Sequence, residues 1–146
     1  MEWLPVVEIV FGLLALAVLP LLLMGLRRRW LSRAGSMFEC SMRIQTTTPG
    51  AGWALGVARY EGENLDWFRV FSLSLRPRVR IPREGTALVR RRPPEGSEAV
   101  VLYSDQQVVQ VSRRGQEQLE LAMNSESVTG FLSWLEAAPP RDDYPT

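Results

Sequence analysis

An uncharged apolar run from Ile9 to Leu26 limits what this chain can fold into more than any other feature of its sequence. As an α-helix, at about 1.5 Å per residue, the run would extend about 27 Å, close to the thickness of the hydrocarbon core of a bilayer. Trp3 and Trp30 bracket it at the spacing of the two aromatic belts of a membrane. The run therefore predicts a transmembrane helix, with the lipid bilayer as the first expected partner.

Basic residues lie on one side of this run only. None occurs in residues 1–7, whereas Arg27, Arg28, Arg29 and Arg33 follow the run directly. Because cationic flanks stay on the cytoplasmic side, we expect a single-pass protein of the cell membrane with its N-terminus outside and its C-terminal domain in the cytoplasm. A cleaved signal peptide would instead have a basic start and a small-residue cleavage site. The expected membrane anchor, residues 1–33, uses Trp3, Ile9, Leu26, Arg27, Arg28, Arg29 and Trp30.

After residue 33 the spacing of apolar residues changes from helical to a period of two. Phe38, Cys40, Met42 and Ile44 alternate with polar residues, which is typical of a strand with one buried face. We expect seven or eight antiparallel strands in total, the number depending on whether 77–92 forms one strand or two. The further strands are predicted, between Gly, Pro and Asp turn signals, at 53–60, 65–74, 79–81, 86–90, 99–103, 108–111 and 119–123.

One amphipathic helix is predicted after the strands. Val128, Phe131, Leu132 and Leu135 follow at i, i+3, i+4 and i+7, so their stripe must be buried against the sheets. Antiparallel strands followed by one helix are the layout of the pleckstrin-homology-like (PH-like) superfold, in which the helix closes one end of a bent sandwich or barrel. The expected domains are the anchor at 1–33, a mainly-β PH-like domain at 34–138 and a polar tail at 139–146.

The residue inventory excludes several classes of catalytic site. All 17 basic residues are arginines, the chain has no histidine, and Cys40 is its one cysteine. A histidine base, a Schiff-base or P-loop lysine, an intramolecular disulfide and a Cys/His zinc site all need residues that are missing. Glu61, Glu63 and Asp66 are expected together in a solvated turn, with ordinary acidity. We therefore expect no enzyme activity, no catalytic residue, no metal and no cofactor.

Arginine is concentrated in one part of the chain. Residues 27–92 hold 14 arginines against five carboxylates, a balance of +9, whereas residues 93–146 carry −6. A basic surface beside a membrane anchor suits anionic headgroups. The same arginines can equally be explained without a ligand, as solvated residues of strand faces together with the usual excess of cations beside a membrane span. The candidate anion- or lipid-binding residues are Arg76, Arg78 and Arg80, which share strand parity, and Arg90, Arg91 and Arg92.

Two apolar strand sequences carry a resemblance to a known family. They are GWALGVARY at 52–60 and LDWFRVF at 65–71, and they follow a single span with its arginine cluster. In these features the whole chain resembles domain of unknown function 2550, a family of small single-pass membrane proteins of actinobacteria. The resemblance does not indicate a particular activity, because no activity is established for the family.

The function best supported by the sequence is that of a membrane-tethered, non-catalytic binding or scaffolding module with a cytoplasmic PH-like domain. Its expected partner is a membrane protein, bound through a sheet edge or through the cleft between sheet and helix. The alternative is peripheral binding of anionic lipid headgroups by the arginine-rich face. No nucleic acid is expected, because the domain is near neutral overall and lacks an interleaved basic and aromatic motif.

Overall fold

The computed structural model describes residues 3–33, 35–44, 47–48 and 51–137. The predicted polar tail at 139–146 lies outside the described residues. The chain divides into two compact units, of which the first is an N-terminal helix together with Leu73–Leu75. The second unit holds the sheets and the remaining helices.

Helix α1 (Trp3–Ser32) contains the uncharged run Ile9–Leu26. Its most apolar 18-residue window has a mean hydropathy of 2.7, and none of that window is buried within the protein. The helix is therefore long and apolar enough to cross a membrane. Pro20 lies within it, at a point where the helix loses one backbone donor.

Two antiparallel sheets follow α1. The first sheet has the strand order β1-β4-β5-β6, and the second has the order β3-β2-β9-β8-β7. The strands are β1 (Met37–Glu39), β2 (Ser41–Arg43), β3 (Trp53–Ala54), β4 (Gly56–Glu61), β5 (Asn64–Arg69), β6 (Val79–Pro82), β7 (Thr86–Arg92), β8 (Gln106–Arg113) and β9 (Gln116–Asn124). The further helices are α2 (Glu98–Val101) and α3 (Ser125–Glu136).

The described residues form nine strands, whereas the sequence predicted seven or eight. Only Cys40 separates β1 from β2, and only Leu55 separates β3 from β4. At each of these two residues the chain passes from one sheet to the other. The predicted strand with Phe38, Cys40 and Met42 and the predicted strand 53–60 are thus each divided between the two sheets.

Two predicted strands are wrong in type or length. The run 99–103 is not a strand: α2 covers most of it, and only Leu102 is buried, in a small cluster with Val108 and Ala122. A run with one buried residue cannot sustain a strand with a buried face. The run 65–74 forms β5 only as far as Arg69, one further backbone hydrogen bond joins Val70 to Leu55 at 3.0 Å, and the exposed Phe71 and Leu73 do not join the core.

The core lies between the sheets and α3. Alternate residues of the strands point into it, as the period of two predicts, and Trp67 is its largest buried side chain. The indole N–H of Trp67 donates to the carbonyl oxygen of Cys40 at 2.6 Å, so the ring also holds the point where β1 gives way to β2. Other core residues are Met42, Leu65, Ile81, Val109, Val111, Leu121 and Met123.

Helix α3 forms where the apolar stripe predicts it. Val128 and Phe131 are fully buried, and Leu132 and Leu135 are partly buried against the same core. Asn124 caps the helix, since its side-chain oxygen accepts a hydrogen bond from the backbone N–H of Ser127 at 2.7 Å. The predicted C-terminal helix is confirmed.

Candidate functional site

The first three candidate arginines lie around the start of β6, an edge strand of its sheet. Arg80 is inside β6, whereas Arg76 and Arg78 precede its first residue, Val79. The backbone N–H of Arg78 donates to the carbonyl oxygen of Trp67 at 2.8 Å and so extends the pairing by one residue. Strand parity therefore relates Arg78 to Arg80 but does not reach Arg76. All three side chains are exposed.

Arg80 is committed to a buried carboxylate. It donates from Nε and Nη2 to the two oxygens of Asp66, at 2.7 and 3.0 Å, and the two residues are cross-strand neighbours. Asp66 is 1% exposed. The expectation that Asp66 shares a solvated turn with Glu61 and Glu63 is therefore wrong, because β5 begins at Asn64 and contains Asp66. A bidentate pair of this kind neutralises the charge that a ligand would need.

The other three candidates end β7, an edge strand of the second sheet. Arg92 donates to both carboxylate oxygens of Glu98, at 2.6 and 3.0 Å, and to Glu120 at 3.3 Å. The Nε of Arg91 donates to the side-chain oxygen of Gln107. Arg90 and Arg91 are exposed, whereas Arg92 is partly buried. Arg92 thus serves the fold, and Arg90 and Arg91 face outward.

Arg92 belongs to an ion network on the outer face of the second sheet. Glu120 joins it to Arg43, whose Nη1 lies 2.6 Å from the second oxygen of that carboxylate. Arg43 also donates to the carbonyl oxygens of Thr48 and Ala51, at 3.0 and 3.2 Å, two described residues between β2 and β3. The guanidinium of Arg92 holds the pKa of the Glu98 carboxyl below its usual range. This network is structural, and sequence spacing gives no sign of it.

Cys40 and the carboxylates are the side chains to compare with what a nucleophile or a metal site requires. Cys40 is completely buried, and burial raises the pKa of its thiol to about 12. A neutral, inaccessible thiol is a poor nucleophile. No group of three or more Asp, Glu or Cys residues in the described part of the chain could hold a metal ion.

The long free edge of β7 is a feature that sequence reasoning did not single out. Within the described residues, β7 pairs only with β8, so its outer edge has no partner strand. It has 7 residues, against 4 or fewer in the other three edge strands β1, β3 and β6. Leu88 and Val89 of this strand are 43% and 48% exposed. The register between β7 and β8 shifts at Val89, between Leu88 and Arg90. The β-forming residues 86–90 predicted a strand here. They could not predict that it lies at an edge, because that depends on the order of the strands in the sheet.

The predicted anchor residues all lie on α1. Trp3, Ile9, Leu26 and Trp30 are exposed. Arg28 and Arg29 are exposed as well, whereas Arg27 is partly buried. The aromatic and basic residues thus stand at the ends of a helix whose most apolar 18-residue window is not buried within the protein.

Comparisons with known proteins match chains from mycobacteria. Two of them, "Uncharacterized protein Rv1312" and "Uncharacterized protein MT1352", come from Mycobacterium tuberculosis strains H37Rv and CDC 1551, and "Uncharacterized protein ML1147" comes from Mycobacterium leprae. Each is 35% identical over 115 residues, which cover 77% of this chain and 78% of the relative. The family described as "Protein of unknown function (DUF2550)" matches residues 14–141. The chain belongs to this family.

Proposed function

We propose that this protein is a membrane-tethered, non-catalytic binding module that takes an extended, acidic segment of a membrane protein onto the edge of β7. Helix α1 is the tether in the cell membrane, and the remainder is a PH-like domain in the cytoplasm. The observation that carries the proposal is the unpaired, partly apolar edge of β7, the longest edge among the described strands.

The exposure and the flanks of α1 support the tether and its orientation. Leaving the apolar side chains of α1 in water would be costly, at about 25 cal/mol for each Å² of apolar surface. The basic residues Arg27, Arg28 and Arg29 lie at its C-terminal end, together with Trp30. Cationic residues beside a span favour the cytoplasmic side, so the domain that follows is assigned there.

The strand order supports a PH-like fold for that domain. The first sheet is a meander through β4, β5 and β6, and the second is a meander through β7, β8 and β9. The segments β1–β2 and β3–β4 each contribute to both sheets, as bent strands do at the corner of a sandwich. The C-terminal helix α3 packs on the shared core. These are the features expected of a bent sandwich closed by one helix.

A non-catalytic role is supported by the state of the polar groups. The carboxylates of Asp66 and Glu98 are buried in bidentate pairs with Arg80 and Arg92. The thiol of Cys40 is buried. These groups are committed to the fold, so none of them is available as a nucleophile or general base.

Strand addition is the mode of binding that the β7 edge supports. An extended segment gains main-chain hydrogen bonds from a free edge, and its side chains take their specificity from the surface beside that edge. Leu88 and Val89 offer apolar contacts, and the exposed Arg90 and Arg91 favour an acidic ligand. The same arginines protect the edge against self-pairing, because charged residues on an edge strand oppose aggregation.

The alternative, binding of anionic headgroups by the arginine-rich face, has less support. Arg80 and Arg92, two of its six residues, are paired with buried carboxylates. The alternative predicts that the domain binds anionic vesicles, that salt weakens the binding, and that zwitterionic vesicles are ignored. Replacing Arg76, Arg78 and Arg80 by Gln should then abolish vesicle binding. Equal binding by this variant and the parent would remove the alternative.

Photo-crosslinking in the native membrane tests the proposal. A photoreactive residue at Val89, on the free edge, should capture one protein, whereas the same residue at the exposed Glu117 on β9 should not. Reversing the charge of Arg90 and Arg91 to Glu should abolish the capture. As a matched control, reversing Arg76 and Arg78 should leave it intact. Loss of the crosslink in the control, or its persistence in the edge variant, would contradict the proposal.

A further inference from the structure

The unit formed by α1 and Leu73–Leu75 contains a groove that the proposed function does not use. Its volume is about 630 Å³, and its wall combines leucine side chains with three guanidinium groups and one indole. The lining residues are Leu23, Leu26, Arg27, Arg29, Trp30, Arg33, Leu73 and Leu75. The groove is thus apolar and cationic at once.

The helix side of the groove follows from the helical period. Leu23, Leu26 and Trp30 lie three and four residues apart, so they share one face of α1. Arg29 borders that face, and Arg33 lines the groove just after Ser32, the last residue of α1. Leu23 and Arg33 are about 15 Å apart along the axis, at about 1.5 Å per residue. From Leu23 towards Arg33, the side chains that line the groove change from apolar to cationic.

The other side of the groove is made by the connection after β5. The Nε of Arg27 donates to the carbonyl oxygen of Ser74 at 2.9 Å, which ties this segment to the helix. Leu73 and Leu75 line the groove beside it, yet they remain 61% and 48% exposed. With Leu23 and Leu26 they line one continuous apolar surface, which is typical of a binding site rather than of single exposed residues.

We propose that this groove binds one anionic phospholipid of the bilayer. The acyl chains of the lipid contact Leu23, Leu26 and the two leucines of the connection. Its phosphate lies beside Arg29 and Arg33, and Trp30 takes the depth between headgroup and chains that tryptophan prefers. Basic pockets at the cytoplasmic end of a transmembrane helix are suited to anionic headgroups.

This lipid site is separate from the β7 edge and from the arginine-rich face. None of the residues proposed to bind protein or headgroups there lines the groove. Its residues belong to the same unit as the membrane helix, so the bilayer itself supplies the ligand at high local concentration. The inference does require that α1 lies in a membrane, which it shares with the proposed function.

Native mass spectrometry of the full chain in detergent tests this inference without a bilayer. We expect one molecule of phosphatidylglycerol to remain bound, and phosphatidylcholine with the same acyl chains to bind at least tenfold more weakly. Inorganic phosphate should not displace the lipid, because phosphate lacks the apolar part of the ligand. Equal retention of the two lipids, or displacement by phosphate alone, would overturn the inference.

Neighbouring positions supply matched controls for the cationic and the apolar wall. Arg29→Gln should weaken phosphatidylglycerol binding about fivefold, as expected for one interfacial cation. Arg28→Gln removes the same charge from the opposite side of the helix and should leave binding unchanged. Leu73→Ser should reduce binding, whereas Phe71→Ser, at an exposed residue outside the groove, should not. Equal effects within either pair would overturn the site.

These experiments also separate the lipid site from the proposed function. The crosslink at Val89 reports on the β7 edge, and retention of phosphatidylglycerol reports on the groove. A crosslink without lipid retention would overturn the groove and leave the β7 proposal standing. Lipid retention without a crosslink would contradict the β7 proposal and leave the groove standing.

Discussion

The substitution Gly56→Ala, which adds a single methyl group, should destabilise the domain. Gly56 directly follows Leu55, where the chain passes from one sheet to the other. A Cβ at Gly56 would overlap the indole ring of Trp67, which is fully buried and cannot move aside freely. The backbone at this residue has no positive φ, so alanine adds only the steric conflict. The same ring donates its hydrogen bond to Cys40, and the backbone N–H of Cys40 donates to the Gly56 carbonyl oxygen at 3.1 Å.

The magnitude follows from these contacts. Overpacking of a core costs about 1–3 kcal/mol. If the ring moves away from the Cys40 carbonyl oxygen, an unsatisfied buried donor adds about 1–3 kcal/mol. We therefore expect Gly56→Ala to lower the free energy of unfolding by about 2–6 kcal/mol.

Urea unfolding of the domain 34–138, followed by tryptophan fluorescence, measures this change against a matched control. Gly130→Ala makes the same substitution inside α3, where the nearest atom to the new Cβ is the Tyr60 hydroxyl at 3.9 Å. That control should stabilise the domain by about 0.5–1 kcal/mol, because alanine favours a helix over glycine. Equal unfolding midpoints for the two variants would refute the packing argument at the sheet corner.

Three further predictions concern the fold, its pH dependence and its topology. The domain 34–138 alone should give a β-rich circular dichroism spectrum with one helix, and Leu132→Asp should unfold or aggregate it, because a charge would enter the core contact of α3. A mostly helical spectrum, or parental stability in the variant, would contradict this. The folded-state pKa of Glu98 is depressed, so its stabilising effect is present above the ordinary pKa of 4.5 and is lost as the pH falls through the lower folded value. The gap in unfolding midpoint between the parent and Glu98→Gln should therefore narrow below about pH 4.5, and a gap independent of pH would count against the Arg92 pair. A reporter fused after Thr146 should behave as cytoplasmic, and activity of a periplasm-only reporter there would reverse the orientation.

The elements with a complete periodic signal could be predicted from the sequence. The long uncharged run gave α1, and the i, i+3, i+4, i+7 stripe gave α3. Alternation also gave the inward position of Cys40. In each of these cases the pattern lies within one segment of the chain, so it can be recognised without knowing which strands pair.

The corners of the sandwich could not be predicted in the same way. Alternation continues through Cys40 while the chain changes its partner strand, so the sequence shows no break where the structure has one. The run 99–103 is too short to distinguish a strand from a helical turn by its apolar residues alone. The exposed residues Phe71 and Leu73 follow a true strand, and only their lack of core contacts tells them apart from it.

The candidate surfaces also depended on contacts between distant residues. Arg43 and Glu120 are 77 residues apart, and Arg92 and Glu120 are 28 apart. No sequence spacing connects such pairs, so strand parity alone could not separate arginines that hold the fold from arginines that face outward. The groove beside α1 likewise needs the contact between Arg27 and Ser74, which are 47 residues apart.

A crosslinking pulldown of the full-length chain from its own membranes tests the central claim most directly. The amount of each co-purified membrane protein is compared between the parent and the Arg90→Glu, Arg91→Glu variant. A membrane-tethered binding module predicts one stoichiometric partner with the parent and its loss with the variant. Recovery of lipid alone, or of the same proteins in equal amounts with both, would contradict the claim.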